Sequence, residues 1–174
     1  MASENPMRKI KVEKLTLNIG AGKEQSVLDK GMLLLKNLTG IEPVKTTTSK
    51  RIPTWGIRPG LPIGCKLTLR GKKATDLISR LLDAKSHTLK KSCFDKNGSV
   101  SFGIPEYIDI KDAKYDPKIG IMGLQACITL ERPGFSIKRK KRGKTKIPQQ
   151  HRIKDDEAVE FMRVAFNVKL DEEE

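Results

Sequence analysis

One stretch limits the folds open to this chain. From Val44 to Lys73 the sequence VKTTTSKRIPTWGIRPGLPIGCKLTLRGKK carries eight Lys or Arg and no Asp or Glu. Its middle holds Pro53, Gly56, Pro59, Gly60, Pro62 and Gly64, which forbid a helix and interrupt any continuous strand. Both flanks alternate as strands do: Val44 and Thr46 inward with Lys45 and Thr47 outward, then Cys65, Leu67 and Leu69 inward with Lys66, Thr68 and Arg70 outward. The stretch reads as a basic loop, 48–64, holding the lone Trp55 out between two strands. Loops of this length inside a domain are uncommon unless they are functional or disordered. Trp55 either stacks on an exposed base or packs under its own loop.

A second segment, Arg132 to Lys154, carries ten cations and again no acid. Without these eighteen, the 35 basic residues fall to 17, against 21 acidic ones. The body is mildly acidic, and the whole positive surplus sits on two segments. Solubility needs no such segregation; a polyanion partner does. Charge this dense is not expected to pack against its own body, so 132–154 reads as a hairpin or extended arm.

The 174 residues suit one domain, 1–174, with the loop and the arm as extensions. No apolar run follows MASENPMRK and none reaches spanning length, so neither a signal peptide nor a membrane contact is expected, and the compartment is read as cytoplasmic. Cys65, Cys93 and Cys127 match neither a zinc knuckle nor a disulfide framework and are expected to be buried free thiols.

Further strands are expected where Leu15, Leu17 and Ile19 alternate with Thr16 and Asn18, where Val100, Phe102 and Ile104 alternate with Ser99 and Ser101, and from Ile121 to Leu130 with Gln125 and Thr129 outward. Asn97-Gly98 marks a tight turn. Helices are expected from a Ser26 cap to Gly40, from Lys73 to Leu82, and from Asp155 to Phe166, the last with Ala158, Phe161, Met162, Ala165 and Phe166 on its apolar face. The acidic end, 171–174, is expected to fray. The fold class is α+β: a five-stranded, mostly antiparallel sheet with helices on one face and the other face open.

The outward strand residues, Thr16, Asn18, Lys45, Thr47, Lys66, Thr68, Arg70, Ser99, Ser101, Gln125 and Thr129, are hydroxyls, amides and cations without a carboxylate. Strand preference alone explains the Thr and Ser but not the missing acids. Such a surface suits the shallow minor groove of duplex RNA, where hydroxyls and amides meet ribose 2′-OH groups and cations meet phosphates. Aromatic content is 5%, and no strand carries the aromatic pair of a single-strand binder, which favours structured RNA.

Catalysis has little support. His87 and His151 lack a nucleophile or carboxylate at a defensible spacing. Asp109, Asp112 and Asp116 lack a calcium-loop pattern, and GAGK at 20–23 lacks the full phosphate-loop pattern. No cofactor, metal or small-molecule substrate is expected.

The motifs KLTLNIGAG, LTGIEPVKTTTSKR, GIRPGLPIGCKLTLRG, FGIPEYIDI and YDPKIGIMGLQACITLERPG resemble the large-subunit ribosomal protein five family, over about residues 5–168. The long basic RPGFSIKRKKRGKTKIP segment resembles the archaeal and eukaryotic branch, and PIGCKLTLRG its archaeal side. The resemblance implies a structural protein of the large subunit's central protuberance, with 5S rRNA on the open face. Thr16, Asn18, Lys45, Thr47, Lys66, Thr68 and Arg70 are then the expected 5S rRNA contacts, Asn18 and Thr68 by direct motif match. The resemblance also implies that Lys50, Arg51, Trp55 and Arg58 fall in a loop expected to meet the P-site tRNA. Lys138, Arg139, Lys140, Lys141, Arg142, Lys144 and Lys146 are expected on other large-subunit rRNA, with ribosomal proteins as neighbours. Many members have Gln where this chain has Ile41, which removes one polar contact and leaves Lys45 and Thr47 to hold that edge. The competing reading is an RNA chaperone or processing factor outside the ribosome.

Overall fold

Alternating segments become a sheet only if their apolar sides find a cover, and here helices supply it. The computed structural model describes residues 5–171. The described elements run β1 (Lys11–Gly20), α1 (Gln25–Thr39), β2 (Val44–Thr47), β3 (Pro62–Leu69), α2 (Lys72–Asp83), β4 (Thr88–Lys90), β5 (Ser99–Ile104), β6 (Leu124–Glu131), α3 (Asp155–Phe166) and β7 (Lys169–Asp171). Five strands form one antiparallel sheet in the order β2-β3-β1-β6-β5, and the class is α+β as expected. A second, two-stranded sheet pairs β4 with β7 in parallel. Asp171 belongs to it rather than fraying, and the rest of the acidic end lies outside the described residues.

The chain gathers into two compact units, one of residues 16–69 and 102–127, the other of residues 5–15, 70–101 and 128–171. In the first, Leu28, Gly31, Leu34 and Leu35 form the buried stripe of α1. A Cβ on Gly31 would sit 3.2 Å from both Cys65 Sγ and Ile19 Cγ2, so the bare glycine lets α1 approach β1 and β3 closely. The helix starts at Gln25, one residue ahead of the expected Ser26 cap, and the Gln25 amide donates to Asp29 Oδ1 one turn on. Gly40 ends it as expected, at φ +70° with its amide on the Lys36 carbonyl. Leu17, Ile19, Cys65 and Leu67 complete this core, each large aliphatic contributing about 1.5–3 kcal/mol of burial.

β6 begins at Leu124 rather than Ile121, which is 70% exposed. Gly123 lies so close to the Pro105 carbonyl that a Cβ would be 2.7 Å from it, so the chain crosses its own loop there before it can enter the sheet. Cys65 is fully buried, and burial pushes its thiol pKa up. Cys93 and Cys127 are only half-buried, contrary to the expectation for three thiols.

In the second unit Ala74, Leu77, Ile78, Leu81 and Leu82 bury the stripe of α2, while Ala158, Met162 and Phe166 bury that of α3. Ala165, expected on that face, is exposed. Asn97-Gly98 forms the expected turn, with Gly98 at φ +74° against Ile153.

Candidate nucleic-acid interface

The first unit carries the face expected to meet RNA. On β1, Thr16 and Asn18 are half-buried beside buried Leu17 and Ile19; on β3, Lys66 and Thr68 are exposed beside buried Cys65, Leu67 and Leu69. Asn18 Nδ2 donates to Gln125 Oε1 on β6 at 3.3 Å, joining two amides across neighbouring strands. The strand segments of this unit contain no Asp or Glu. Its outward side chains are therefore accessible and free of negative charge.

β2 corrects the sequence reading. Val44 lies opposite Lys66, Lys45 opposite Cys65 and Thr46 opposite Gly64, and directly opposed residues share a face. Lys45 thus lies on the α1 side, with Nζ 3.9 Å from Asp29 Oδ1, while Val44 takes the open side at 62% exposure. A register shift after Thr46 resets the alternation, so Thr47 opposes Pro62 and is exposed. A four-residue edge strand with one aliphatic residue has too little pattern to fix its own orientation. Ile41 is 38% exposed.

The loop between β2 and β3 is an ordered hairpin extension. Thr48 N–H donates to the Leu61 carbonyl at 3.0 Å, Gly60 N–H to the Thr48 carbonyl at 2.8 Å, and Ile52 and Ile57 exchange two bonds of 3.0 Å. Pro53–Trp55 makes one 3-10 turn, closed by Gly56 at φ +67°. Ile57 is buried and anchors the tip; Trp55 is 66% exposed, which decides against packing under the loop. Lys50, Arg51 and Arg58 are exposed with it. The GAGK turn spends its Ala21 and Gly22 amides on the Ile63 carbonyl, so they are not aimed at a phosphate.

In the second unit Arg70 is exposed just past β3, and Ser101 is exposed while Ser99 and Thr129 are half-buried. The basic arm contradicts the expectation that it would stay off the body. Phe135 is buried at its base, edge-on to His151 with centroids 5.6 Å apart, and Lys138 Nζ lies 5.2 Å from its ring centre. Arg132, 5% exposed, donates to Glu157 Oε1 at 2.7 Å and to the Arg152 carbonyl at 3.3 Å. Burial alone would raise the Glu157 carboxyl, but the Lys154 amide and the Arg132 guanidinium outweigh it and hold the group below its ordinary range. Arg139 donates to Glu13 Oε1 at 2.5 Å and to Glu131 Oε2 at 2.8 Å. Lys140, Lys141, Arg142, Lys144 and Lys146 are exposed.

Sequence reasoning missed Glu13, Glu131 and Glu157. For Glu13 a signal exists: it shares the inward parity of Leu15 and Leu17, and an acid on the buried side of a strand requires a cation. The histidines serve the fold, His87 between Asp83 Oδ1 (2.7 Å) and the Phe166 carbonyl (3.0 Å), His151 on the Pro133 carbonyl (2.9 Å). Asp116 orders its loop, its amide donating to the buried Tyr107 hydroxyl. Among the described residues no His, Cys, Asp or Glu cluster could hold a metal ion, and no helix is long and apolar enough to cross a membrane.

An acid-free strand face and two ordered cationic segments, with no reactive constellation among the described residues, define the class of basic α+β proteins that lie against a polyanion. Comparison with known proteins makes this specific. Residues 5–58 match the family model described as ribosomal protein L5, and residues 62–161 match the model of that ribosomal family's C-terminus. The chain is 48% identical over 167 residues to large ribosomal subunit protein uL5 of Sulfurisphaera tokodaii, covering 95% of this chain and 94% of that one. It is 47% identical over 168 residues to the uL5 of Nanoarchaeum equitans (96% and 99%) and 39% over 173 residues to that of Methanococcus aeolicus (98% and 96%). The chain belongs to the large ribosomal subunit protein uL5 family. It is a structural, non-enzymatic constituent of the large subunit in the cytoplasmic ribosome.

Proposed function

We propose that this protein binds 5S rRNA through the open strand face of its first unit. Thr16, Asn18, Thr47, Lys66 and Thr68 are the contacts, with Gln125 beside Asn18; Arg70, which belongs to the second unit, is a separate phosphate contact and not part of this face. Lys45 is left out of this set because its ammonium is turned toward Asp29. The observation that carries the reading is an accessible face of hydroxyls, amides and cations on strand segments that, within residues 16–69 and 102–127, hold no acid; Glu13 and Glu131 lie on the parts of β1 and β6 beyond them. Hydroxyls and amides match the 2′-OH-lined minor groove, and cations match phosphates.

The hairpin tip meets the P-site tRNA: Lys50, Arg51 and Arg58 neutralise phosphates, and the exposed Trp55 ring offers a stacking surface. Lys138, Lys140, Lys141, Arg142, Lys144 and Lys146 of the arm reach other large-subunit rRNA, with ribosomal proteins as further neighbours. Replacing Asn18 and Thr68 together by Ala keeps the fold and weakens 5S rRNA binding about ten-fold, as two lost polar contacts of roughly 0.5–1.5 kcal/mol each require. A gel-shift titration checks it; unchanged affinity with an unchanged melting temperature counts against this face.

A further inference from the structure

We infer that Glu13, Glu131 and Arg139 form a clasp that sets the basic arm in its binding shape before any RNA arrives. The inference rests on the reading of the arm as an RNA-binding segment and assigns Arg139 a different task from its neighbours. Arg139 is one of a dense run of cations, yet its two terminal nitrogens point inward to two carboxylates from different strands, at 2.5 and 2.8 Å. The Glu13 side chain is 6% exposed and that of Glu131 14%, and Lys11 Nζ adds a third cation 3.3 Å from Glu131. Carboxylates this buried are costly unless a fixed cation meets them. A guanidinium holds its donors in a rigid planar fork that reaches two separate acceptors in fixed geometry, where a lysine ammonium is a compact point charge on a flexible stem.

The rest of the arm's base is held in the same manner. Arg132 ties the returning chain, through the Arg152 carbonyl, to Glu157 on α3, and Phe135 is buried against His151. Both ends of the segment are therefore fixed, and Lys140, Lys141, Arg142, Lys144 and Lys146 project from a closed loop. Fixing a loop in its bound shape removes ordering entropy from the cost of binding. Arg139 is thus a positioning residue for the RNA contact rather than a phosphate ligand.

The clasp and a plain charge account make opposite predictions. Glu13→Gln with Glu131→Gln removes two negative charges beside a basic arm and keeps every cation, so long-range electrostatics alone would tighten RNA binding. If the clasp positions the arm, the same variant binds 5S-containing large-subunit rRNA about five-fold more weakly, because ordering must now be supplied on binding. Trypsin then cuts the free variant between Lys140 and Lys146 several-fold faster than the free wild type. Arg139→Lys, which keeps the charge but loses the fork, moves both readouts the same way and serves if the double variant fails to fold. Equal cleavage rates, or an affinity that holds or rises, overturns the clasp. The cleavage arm needs no RNA, so failure of the wild-type protein to bind rRNA would sink the reading of the arm while leaving the clasp decided by proteolysis.

Discussion

At Gly64 a side chain has nowhere to go. A Cβ there would lie 2.6 Å from the Ile19 carbonyl oxygen and 3.2 Å from Thr46 Oγ1, and the first of these is backbone, which cannot swing aside. Gly64→Ala must push β3 away from β1 in the middle of the sheet, so we expect it to cost about 1–3 kcal/mol, as overpacking does. Urea unfolding measures this, and a variant as stable as wild type would mean that the strands separate freely there. The sequence reading misses this position: it ends the loop at Gly64, whereas β3 already begins at Pro62 and Gly64 pairs with Thr46, because a glycine that admits a close backbone approach inside a strand looks the same in sequence as one that breaks it. The open face is legible because Lys66, Thr68 and Gln125 alternate with residues that must be buried. What single residues do not disclose is partnership. Nothing near Arg139 in the sequence distinguishes it from Lys140 or Arg142; its carboxylates come from residues 13 and 131.

Elements of six residues or more announce themselves, while those of three or four show in part or not at all. β4 and β7 have three residues each and lie about eighty residues apart, too short for any period to show. β2 has four residues, and its one aliphatic residue is set opposite Lys66 by the pairing with β3 and so faces out, which so short a pattern cannot announce. The docking of the arm escapes a reading of charge density that leaves out the counter-charges. Its return to α3 depends on Arg132 and Glu157, and this pair makes a pH prediction. The Glu157 carboxyl is held below its ordinary value, so its contribution is fully present above the unfolded Glu pKa of about 4.3 and is lost as pH falls through the lower folded value. The melting-temperature gap between wild type and Glu157→Gln should therefore be constant near neutrality and close below about pH 4. A gap that persists unchanged at about pH 3 would show that the pair is not what fastens the arm to α3. The side chain of Glu157 is 40% exposed, so solvent screening keeps the gap small.

For the molecule as a whole, what matters is how its charge is divided. The surplus of +14 is carried by residues 44–73 and 132–154, with the remainder slightly acidic, and the two kinds of RNA contact proposed above draw on it differently. Phosphate contacts release counterions, so each one neutralised by Lys or Arg adds roughly 0.7–0.9 to the steepness of log affinity against log salt. Hydroxyl and amide contacts release none. Changing Lys140, Lys141 and Lys144 to Gln should therefore flatten that salt slope by about 2–3, with the greatest loss of affinity at low salt. Asn18→Ala with Thr68→Ala should lower affinity by the same factor at every salt concentration and leave the slope alone. Filter binding to large-subunit rRNA containing 5S, from about 50 to 200 mM salt (a range over which roughly six to ten phosphate contacts cost about three to five decades), separates the two sets of variants. Parallel lines for the three-lysine variant and wild type would mean that the exposed arm cations do not meet phosphates. A changed slope for the two-alanine variant would mean that the strand face acts through charge, and the hydroxyl and amide pattern on β1 and β3 would then need another explanation.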